Sequence, residues 1–544
     1  MTAPSPMLAL MPGTTTAPGT GANTGNGTDH DPASTAASAL RRAGDGYFDW
    51  LDHIWPAAGC AHPVRLHGTI RAVDPVTGEI LRTSSTEDMP DRVIYKACGN
   101  RRIAACPSCA ETYRRDAYHV IRAGLAGGKG ISEHVASHPA VFATFTAPSF
   151  GPVHGRVITR HRCDSRERCR CRPEPCHARH DAQTCPHGRV IACYTRHAPG
   201  DQAIGQPICP DCYDYAAAAV WNNAAGELWR RTKQAIERHL NHRAMLRNLP
   251  KVRVSHGKAA EFQARGAVHF HVLLRLDGID PADPDALIPP PPGITVADLD
   301  DAIRQAAAAI VWSTPAHPRQ PAGWRITWGP QLDVRIITMR GANPVTDAMV
   351  AAYLAKYSTK GTEATGHASA RLDDDTIDLY ANPDGTHTER LIDACWSLGR
   401  EPAYRSLRRW AHMLGFGGHF LTKGRRYSIT FRVLRQARVL YRRTETAGPE
   451  HEHIGIDGPR DIPTTLIVGN LTYGGTGWKT SGDALLANTA ADLARRRRQI
   501  GREEINHESA QVEMPWTEAA GNYCVHGDTE RSDPKSRKAD IFES

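Results

Sequence analysis

Short runs of apolar residues predict three β-strands, and three longer segments with helical spacing of apolar residues predict helices. The strand candidates are residues 141–147 (VFATFTA), which stop at Pro148, then residues 267–276 and 331–337. The helix candidates are residues 215–242, 296–312 and 346–360, and Gly361 gives the last one a natural C-terminal stop. This mixed order predicts an α+β or α/β domain built around a sheet.

Three segments have too few apolar residues for a folded core of their own. Residues 1–40 are mainly Thr, Ala, Pro, Gly and Ser, and so little apolar surface does not offset the entropy lost on ordering. We expect a disordered arm there and an unstructured polar tail over residues 501–544. The proline-rich residues 280–293 predict a surface loop inside a larger domain, because proline is excluded from helix interiors and central strands.

The second strand candidate carries two histidines on one face. His269 and His271 flank Phe270 in GAVHFHVLLRL, and side chains alternate between the two faces of a strand. Both imidazoles therefore project from the same face and can bind one ion, while Phe270 and Val272 point into a core. We expect the histidine face to be open to a substrate. The alternative is a pair of surface histidines on a half-buried strand.

A carboxylate is expected beside the histidines. In EFQARG, directly upstream, Glu261 and Gln263 share a face of a preceding strand, and Arg265 with Gly266 forms the turn. This hairpin predicts Glu261 as the third ligand of a site with two imidazoles and an oxygen. Such a set suits Mg²⁺ or Mn²⁺ better than structural zinc. The alternative is a solvated glutamate at a strand end.

The helix candidate at residues 346–360 contains two overlapping Tyr-x-x-Lys units. Tyr353 and Tyr357 lie one turn apart on one face, with Lys356 and Lys360 beside them. A tyrosine hydroxyl has a pKa near 10 and is a poor nucleophile, but a divalent ion and a nearby ammonium group favour attack by the phenolate on a phosphate. Taken alone, the segment also fits an amphipathic helix whose tyrosines pack on the sheet.

The 14 cysteines are concentrated in two clusters, and the chain shows no export signal, so metal ligation is favoured over disulfides. The spacing predicts structural zinc sites, which are closed tetrahedra. The isolated Cys395 and Cys524 are expected to be buried or incidental thiols. The first predicted site consists of Cys60, Cys98, Cys106 and Cys109; the second of Cys185, His187, Cys209 and Cys212; the candidates for a further site are Cys163, Cys169, Cys171 and Cys176. Cys193 lies in the second cluster, between residues 163 and 212, and the sequence leaves open which of the ligands in that cluster bind the same ion.

Positive charge favours a polyanionic partner. The chain has 66 Lys and Arg against 58 Asp and Glu, a net charge of +8 and a pI near 8.8. A generally arginine-rich proteome is the alternative, but the basic residues are clustered. The candidate DNA-binding residues are Arg408, Arg409, Lys423, Arg425 and Arg426. The absence of a signal peptide and of long apolar segments leads us to expect a cytoplasmic protein without membrane contact.

The ordered motifs VFATFTAP, GAVHFHVLL and YLAKYSTKG resemble the three motifs of HUH endonucleases, specifically the rolling-circle initiators of actinobacterial plasmids and integrating conjugative elements. Further similarity extends to CGNRRIAACPSCA and LGFGGHFLTKGRRYS. The resemblance implies a palm-like (ferredoxin- or RRM-like) antiparallel sheet for the catalytic domain. It also implies a covalent 5′-phosphotyrosine and a free 3′ hydroxyl for primer extension.

Carried over by position, the resemblance makes His269 and His271 metal ligands and Tyr357 the nucleophile. Related plasmid initiators carry an acidic residue four positions before that tyrosine, where this chain has Tyr353, so a second tyrosine is an alternative means of ending the reaction.

The expected division of the chain is a disordered arm, an N-terminal zinc-containing region, a catalytic domain with a zinc-cluster insertion, a basic C-terminal DNA-binding region and a polar tail. The disordered arm is residues 1–40, the zinc-containing region 41–135, and the catalytic domain 136–365 with its insertion at 160–215. The DNA-binding region is residues 366–500, and the polar tail is 501–544.

The expected function is origin binding and nicking of one DNA strand. The sequence leaves open an HUH transposase, a relaxase, or a non-catalytic zinc-containing DNA-binding regulator. A relaxase usually places its tyrosine before the histidines, and here Tyr357 follows them. No Gly-x-x-x-x-Gly-Lys-Ser/Thr phosphate loop is present, so we expect a host helicase and polymerase to act with the protein.

Overall fold

A computed structural model describes residues 32–74, 76–156, 173–178, 183–337, 346–361, 371–447 and 466–510. The helices in these ranges are α1 Pro32–Arg42, α2 Tyr47–Ile54, α3 Pro107–Ala126, α4 Tyr215–Leu246, α5 Val296–Ala309, α6 Asp347–Tyr357, α7 His387–Leu398, α8 Arg405–Arg409, α9 Phe431–Ala447 and α10 Ser481–Ala510. The strands are β1 Val64–Val73, β2 Ile80–Ser85, β3 Ile94–Lys96, β4 Ala140–Phe145, β5 Val252–Phe262, β6 Val268–Gly278, β7 Trp312–Ser313, β8 Arg325–Ile326, β9 Leu332–Ile336, β10 Leu421–Lys423 and β11 Leu466–Thr476. The fold is thus a mixed α+β arrangement.

The centre of the molecule is a five-stranded antiparallel sheet with the order β10-β5-β6-β4-β9. Its middle is the long hairpin of β5 and β6. The turn of this hairpin contains Gly266 at φ +74°, a conformation that glycine adopts readily and that other residues avoid. All three predicted strands are present, as β4, β6 and β9. The predicted Glu261 hairpin is present as well.

One face of this sheet packs on α4 and α5. Alternate residues of β6, such as Phe270 and Val272, are fully buried there, as the alternation in the sequence predicted. Trp221, Leu228 and Ile236, spaced along the inner face of α4, lie in the same core. This face therefore provides most of the apolar core and holds the sheet in place.

The opposite face of the sheet packs on α3 and α6. Ile121 of α3 and Leu354 of α6 meet Leu273 of β6 in a smaller core. This face carries the histidines. We expected it to be open to a substrate, but it is covered. His269 and His271 are 4% and 1% exposed. The helix that carries the tyrosines lies over this face, and the sequence alone could not show where that helix packs.

The two ends of the described chain form a second unit together. β1 pairs with β11, β2 and β3 in a separate antiparallel sheet, and Trp50, Tyr95 and Ala487 share its core. The Arg42 guanidinium of α1 binds Asp483 of α10, with Nε 2.7 Å from Oδ1. The unit therefore combines residues that lie more than 400 positions apart in sequence.

These contacts change the expected division of the chain. The helix α1 begins at Pro32, inside the arm of residues 1–40 that we expected to be disordered, because it docks on α10 rather than folding alone. Residues 366–500 are not a separate region either, since β10 completes the central sheet while β11 and α10 pack on the N-terminal unit. Helix α10 also continues into the expected polar tail as far as Ala510. Residues 1–31 and 511–544 lie outside the described ranges.

The bounds of the predicted helices differ slightly from the observed ones. The helix expected at residues 215–242 extends to Leu246, and the one expected at 296–312 ends at Ala309. The tyrosine helix ends at Tyr357, before Gly361. None of the described helices is both long and apolar enough to cross a lipid bilayer.

Candidate active site and metal-binding clusters

The β5–β6 hairpin brings a carboxylate and two imidazoles to one point. Glu261 pairs with His269 across the hairpin, and His271 lies two residues further along β6 on the same face. The Nε2 atoms of both histidines are 3.2 Å from the same Glu261 oxygen, Oε2. Three predicted ligands thus converge as the sequence pattern suggested.

The protonation of this group suits a divalent cation. Burial opposes ionisation of Glu261, but hydrogen bonds from His269 and His271 outweigh it and hold the pKa of the carboxyl well below its usual range. Burial, helped by His269, lowers the pKa of His271 to about 4, so its imidazole is neutral at pH 7. Thr144 Oγ1 lies 3.1 Å from His271 Nδ1 and would accept its proton in the other tautomer, in which Nε2 no longer donates to Glu261 and can bind a metal. The residues therefore fit Mg²⁺ or Mn²⁺.

Both tyrosines of α6 lie against the histidines. The ring centroids of Tyr353 and Tyr357 are 4.4 Å apart, and they lie 4.9 and 5.4 Å from that of His271. The Tyr353 hydroxyl is 3.4 Å from His271 Nε2. Burial and the neighbouring Tyr357 raise the pKa of Tyr353 well above its usual value. Both predicted tyrosines are therefore at the site, in different surroundings.

The two lysines of the predicted motif have different positions. Lys360 Nζ is 3.0 Å from Glu261 Oε1 and 4.3 Å from the centre of the Tyr357 ring. Lys356 is exposed, and its Nζ is 5.8 Å from that ring. Lys360 alone therefore belongs to the cluster of charges around Glu261.

Arg101 holds the end of the tyrosine helix, which the sequence did not suggest. Its Nη1 donates hydrogen bonds to the carbonyl oxygens of Ser358, at 2.9 Å, and of Lys360, at 2.6 Å. A guanidinium at a helix C-terminus satisfies carbonyls that have no partner within the helix. Arg101 is close in sequence to Cys98 and Cys106. The segment that carries these two cysteines therefore contacts the end of the helix that carries Tyr357.

The first predicted zinc site is assembled in the fold. Cys60, Cys98, Cys106 and Cys109 have their sulfur atoms within 4.8 Å of one another. Three of the Sγ–Sγ distances are 3.6 to 3.9 Å, far longer than a disulfide bond of about 2.05 Å. A zinc ion with Zn–S bonds of about 2.3 Å holds sulfur atoms about 3.8 Å apart. The cluster therefore has the composition and spacing of a four-cysteine site.

The second predicted group is also assembled, whereas three of the four cysteines of the further candidate site lie outside the described residues. Cys185, His187, Cys209 and Cys212 have their ligand atoms within 4.8 Å of one another. Cys176 instead lies beside Cys193 and two histidines that the sequence analysis did not single out, His154 and His197. Only the C-x₃-H spacing of Cys193 and His197 could have indicated this group. Cys163, Cys169, Cys171 and Cys524 lie outside the described residues, and Cys395 is fully buried.

Most of the candidate DNA-binding residues already bind groups of the protein. Arg425 and Arg426 both form ion pairs with Asp285, at 2.8 and 2.5 Å. Lys423 donates a hydrogen bond to the Ser428 carbonyl oxygen at 2.6 Å. Arg408 pairs with Asp374 at 3.2 Å, and the Arg409 guanidinium lies 5.5 Å from the centre of the Trp410 ring. Arg425, which is 80% exposed, is the most accessible of the ion-paired arginines.

Comparison with known proteins identifies the family of the chain. The family described as "RepSA: Replication initiator protein, pSAM2" matches residues 46–492. The chain belongs to this RepSA family of replication initiator proteins. A "Replication initiator protein" of Streptomyces ambofaciens is 43% identical over 470 residues, which cover 84% of this chain and 93% of that protein.

The RepSA match spans both structural units, from α2 to α10, and includes every residue of the histidine–tyrosine site. It confirms the expectation of a replication initiator, whereas the HUH class and the nicking chemistry stay predictions. No solved structure matches the RepSA chain described here.

Proposed function

We propose that this replication initiator is a metal-dependent DNA endonuclease and strand transferase of the HUH class that starts rolling-circle replication. One observation carries the proposal. Glu261, His269 and His271 converge on one face of an antiparallel sheet, and Tyr357 of the helix above lies against them. Packing alone does not require a half-buried glutamate, two histidines, a lysine and two tyrosines in one place.

In the proposed reaction the hydroxyl oxygen of Tyr357 attacks the phosphorus of one phosphodiester in the origin. A bond forms between Tyr357 and the 5′ phosphate, the bond to the 3′ oxygen breaks, and the 3′ oxygen takes up a proton as the tyrosine loses one. The phosphodiester energy is conserved in the covalent product, so the strand can be rejoined. The free 3′ hydroxyl then serves as a primer.

Each residue of the site has a role in this reaction. Glu261, His269 and His271 would hold Mg²⁺ or Mn²⁺, which polarises the scissile phosphate when bound. The Lys360 ammonium, 4.3 Å from the centre of the Tyr357 ring, favours the phenolate and stabilises charge on the phosphoryl oxygens. Tyr353 is the candidate acceptor for the terminating strand transfer. Lys356 is exposed and is better placed for the DNA backbone than for the reacting atoms.

The remaining features are assigned to DNA handling and folding. Structural zinc in the cysteine clusters would stabilise segments that have few aliphatic residues. Arg408, Arg409, Lys423, Arg425 and Arg426 are candidates for phosphate contacts, which for the ion-paired arginines would require exchange of their present partners. We also propose that the protein acts in the cytoplasm, that its central sheet is of the palm-like HUH type, and that a host helicase and polymerase extend the nicked strand.

A nicking assay on supercoiled plasmid carrying the cognate origin tests the proposal. With Mg²⁺ or Mn²⁺ we expect open circles and DNA covalently attached to the protein. The double variant His269→Ala, His271→Ala should lose nicking by about 100-fold or more, yet bind origin duplex within a few-fold of wild type, since phosphate contacts lie elsewhere. The matched control is His242→Ala on the exposed side of α4. Undiminished nicking by the double variant would remove the metal site from the mechanism.

A further inference from the structure

A metal-ligand group outside the active site lies in the segment between β4 and α4. Its members are two cysteines and two histidines: His154, Cys176, Cys193 and His197, with ligand atoms within 4.8 Å of one another. Three partly buried side chains and the 4% exposed His197 leave the group largely covered. We propose that these four residues bind a structural zinc ion of their own.

The distances within the group agree with a tetrahedral ion. Cys176 Sγ is 3.8 Å from His154 Nδ1, and Cys193 Sγ is 3.7 Å from His197 Nε2. A zinc ion with bonds of about 2.3 Å to sulfur and 2.0 Å to nitrogen separates such atoms by about 3.5 Å. Two thiolates and two imidazoles fill all four positions. The ion would therefore stabilise the fold without taking part in catalysis.

Neighbouring groups orient the ligands as they do in known zinc sites. Asp201 Oδ2 is 2.6 Å from His197 Nδ1, so the carboxylate can accept that proton and leave Nε2 free for the metal. The backbone N–H of Gly155 donates to Cys176 Sγ at 3.1 Å, which stabilises a thiolate. An imidazole held by a carboxylate is characteristic of zinc ligation and is not needed for packing.

The ligands of this site alternate along the chain with those of the neighbouring group. The order is His154 and Cys176, then Cys185 and His187, then Cys193 and His197, then Cys209 and Cys212. The loop between Cys176 and Cys193 of this site contains Cys185 and His187 of the neighbouring group. The loop between His187 and Cys209 of that group in turn contains Cys193 and His197. Loss of either ion should weaken binding at the other, because both depend on the same loops being ordered.

Zinc content of the full-length protein tests the proposal. Metal analysis after removal of loosely bound ions should give three equivalents of tightly bound zinc, two of them in this segment. Cys193→Ser and His154→Ala should each lose at least one equivalent, and Asp201→Asn should weaken binding about 10- to 100-fold in competition with a chelator. The matched control is His177→Ala, since His177 Nδ1 is 3.1 Å from Cys176 Sγ but outside the proposed ligand set.

Two results would overturn the ligand assignment. One is full zinc content in Cys193→Ser or His154→Ala. The other is loss of an equivalent on replacing Cys163, Cys169 and Cys171 by serine, which would assign the ion to the four-cysteine set with Cys176.

If the variants fail to fold, thiol labelling of the wild-type protein decides the question. Cys176 and Cys193 should resist alkylation until a strong chelator is added. Alkylation at the same rate with and without the chelator would overturn the proposal, as would a disulfide between these two cysteines.

Discussion

At the scale of single residues, the two tyrosines of α6 are chemically distinct although they lie one turn apart. The Tyr353 hydroxyl group contacts His271, and burial together with the neighbouring Tyr357 raises the pKa of Tyr353. Tyr357 lies beside the Lys360 ammonium group. A raised pKa makes ionisation of Tyr353 more costly, so Tyr357 is the better candidate for the first attack.

We expect Tyr357→Phe to abolish the covalent protein–DNA adduct, because the change removes the attacking oxygen and keeps the ring that packs on His271. The loss should be about 1,000-fold or more. Tyr353→Phe is the matched control on the same helix and should still nick, with slower release or rejoining. Peptide mapping of the trapped adduct measures the outcome. DNA found mainly on Tyr353 would reverse the two roles, and an undiminished adduct in the double variant would refute tyrosine catalysis.

At the scale of elements, the site depends on the β5–β6 hairpin, whose turn has no room for a larger residue. A Cβ atom at Gly266 would lie 2.5 Å from Leu391 Cδ1 and 3.2 Å from Leu414 Cδ1, and both leucines are fully buried. The positive φ of Gly266 is a second obstacle to substitution. The turn sets the register that places Glu261 opposite His269.

Gly266→Ala should therefore destabilise the protein by about 2–4 kcal/mol, from backbone strain and from overpacking of the buried leucines. Gly128→Ala is the matched control, since Gly128 also has a positive φ, +84°, but nothing lies within 4 Å of its Cβ position. That variant should lose only about 1–2 kcal/mol. Urea unfolding measures both. An equal loss of unfolding free energy in the two variants would show that Leu391 moves away from the added Cβ without a free-energy penalty.

Local sequence patterns predicted the strands and the helix that carry the site, but they could not predict contacts between segments that are distant in sequence. The alternation in GAVHFHVLL placed both histidines on one face, and EFQARG placed Glu261 beside them, because strand geometry fixes these relations over a few residues. Nothing in the sequence near Arg101 indicated that it binds the end of α6. The group around His154 was missed for the same reason, since its ligands are brought together by the fold of a long loop.

At the scale of the whole molecule, the N-terminal unit depends on the C-terminal end of the chain. Trp478 Nε1 donates a hydrogen bond to the carbonyl oxygen of Cys60 at 3.0 Å, and Ala487 lies in the core with Trp50. β11 covers one edge of β1 along nearly its whole length. The N-terminal sheet is therefore incomplete without residues beyond 465, and the backbone of Cys60 in the first cysteine cluster would lose a hydrogen bond.

We expect a chain that ends at residue 465 to lose the fold of its N-terminal unit, because β1 loses a partner and the core of Trp50 is uncovered. Limited proteolysis should cleave residues 64–96 about tenfold faster or more than in the full chain. A chain that ends at residue 510 keeps β11 and α10 and is the matched control. Equal protection of the two truncated chains would show that the N-terminal unit is stable by itself.

The pairing of β1 with β11 also has a consequence for synthesis of the protein on the ribosome. Thr69 is partnered with Asn470, about 400 residues later, and at about 5–20 residues per second that distance takes roughly 20–80 s to translate. The N-terminal strands emerge first and wait while the whole central sheet is made. Strands β1 to β3 are thus made early but are among the last elements to complete their structure. A product that ends between residues 361 and 465 keeps Glu261, His269, His271 and Tyr357 but lacks the strand that completes the N-terminal sheet.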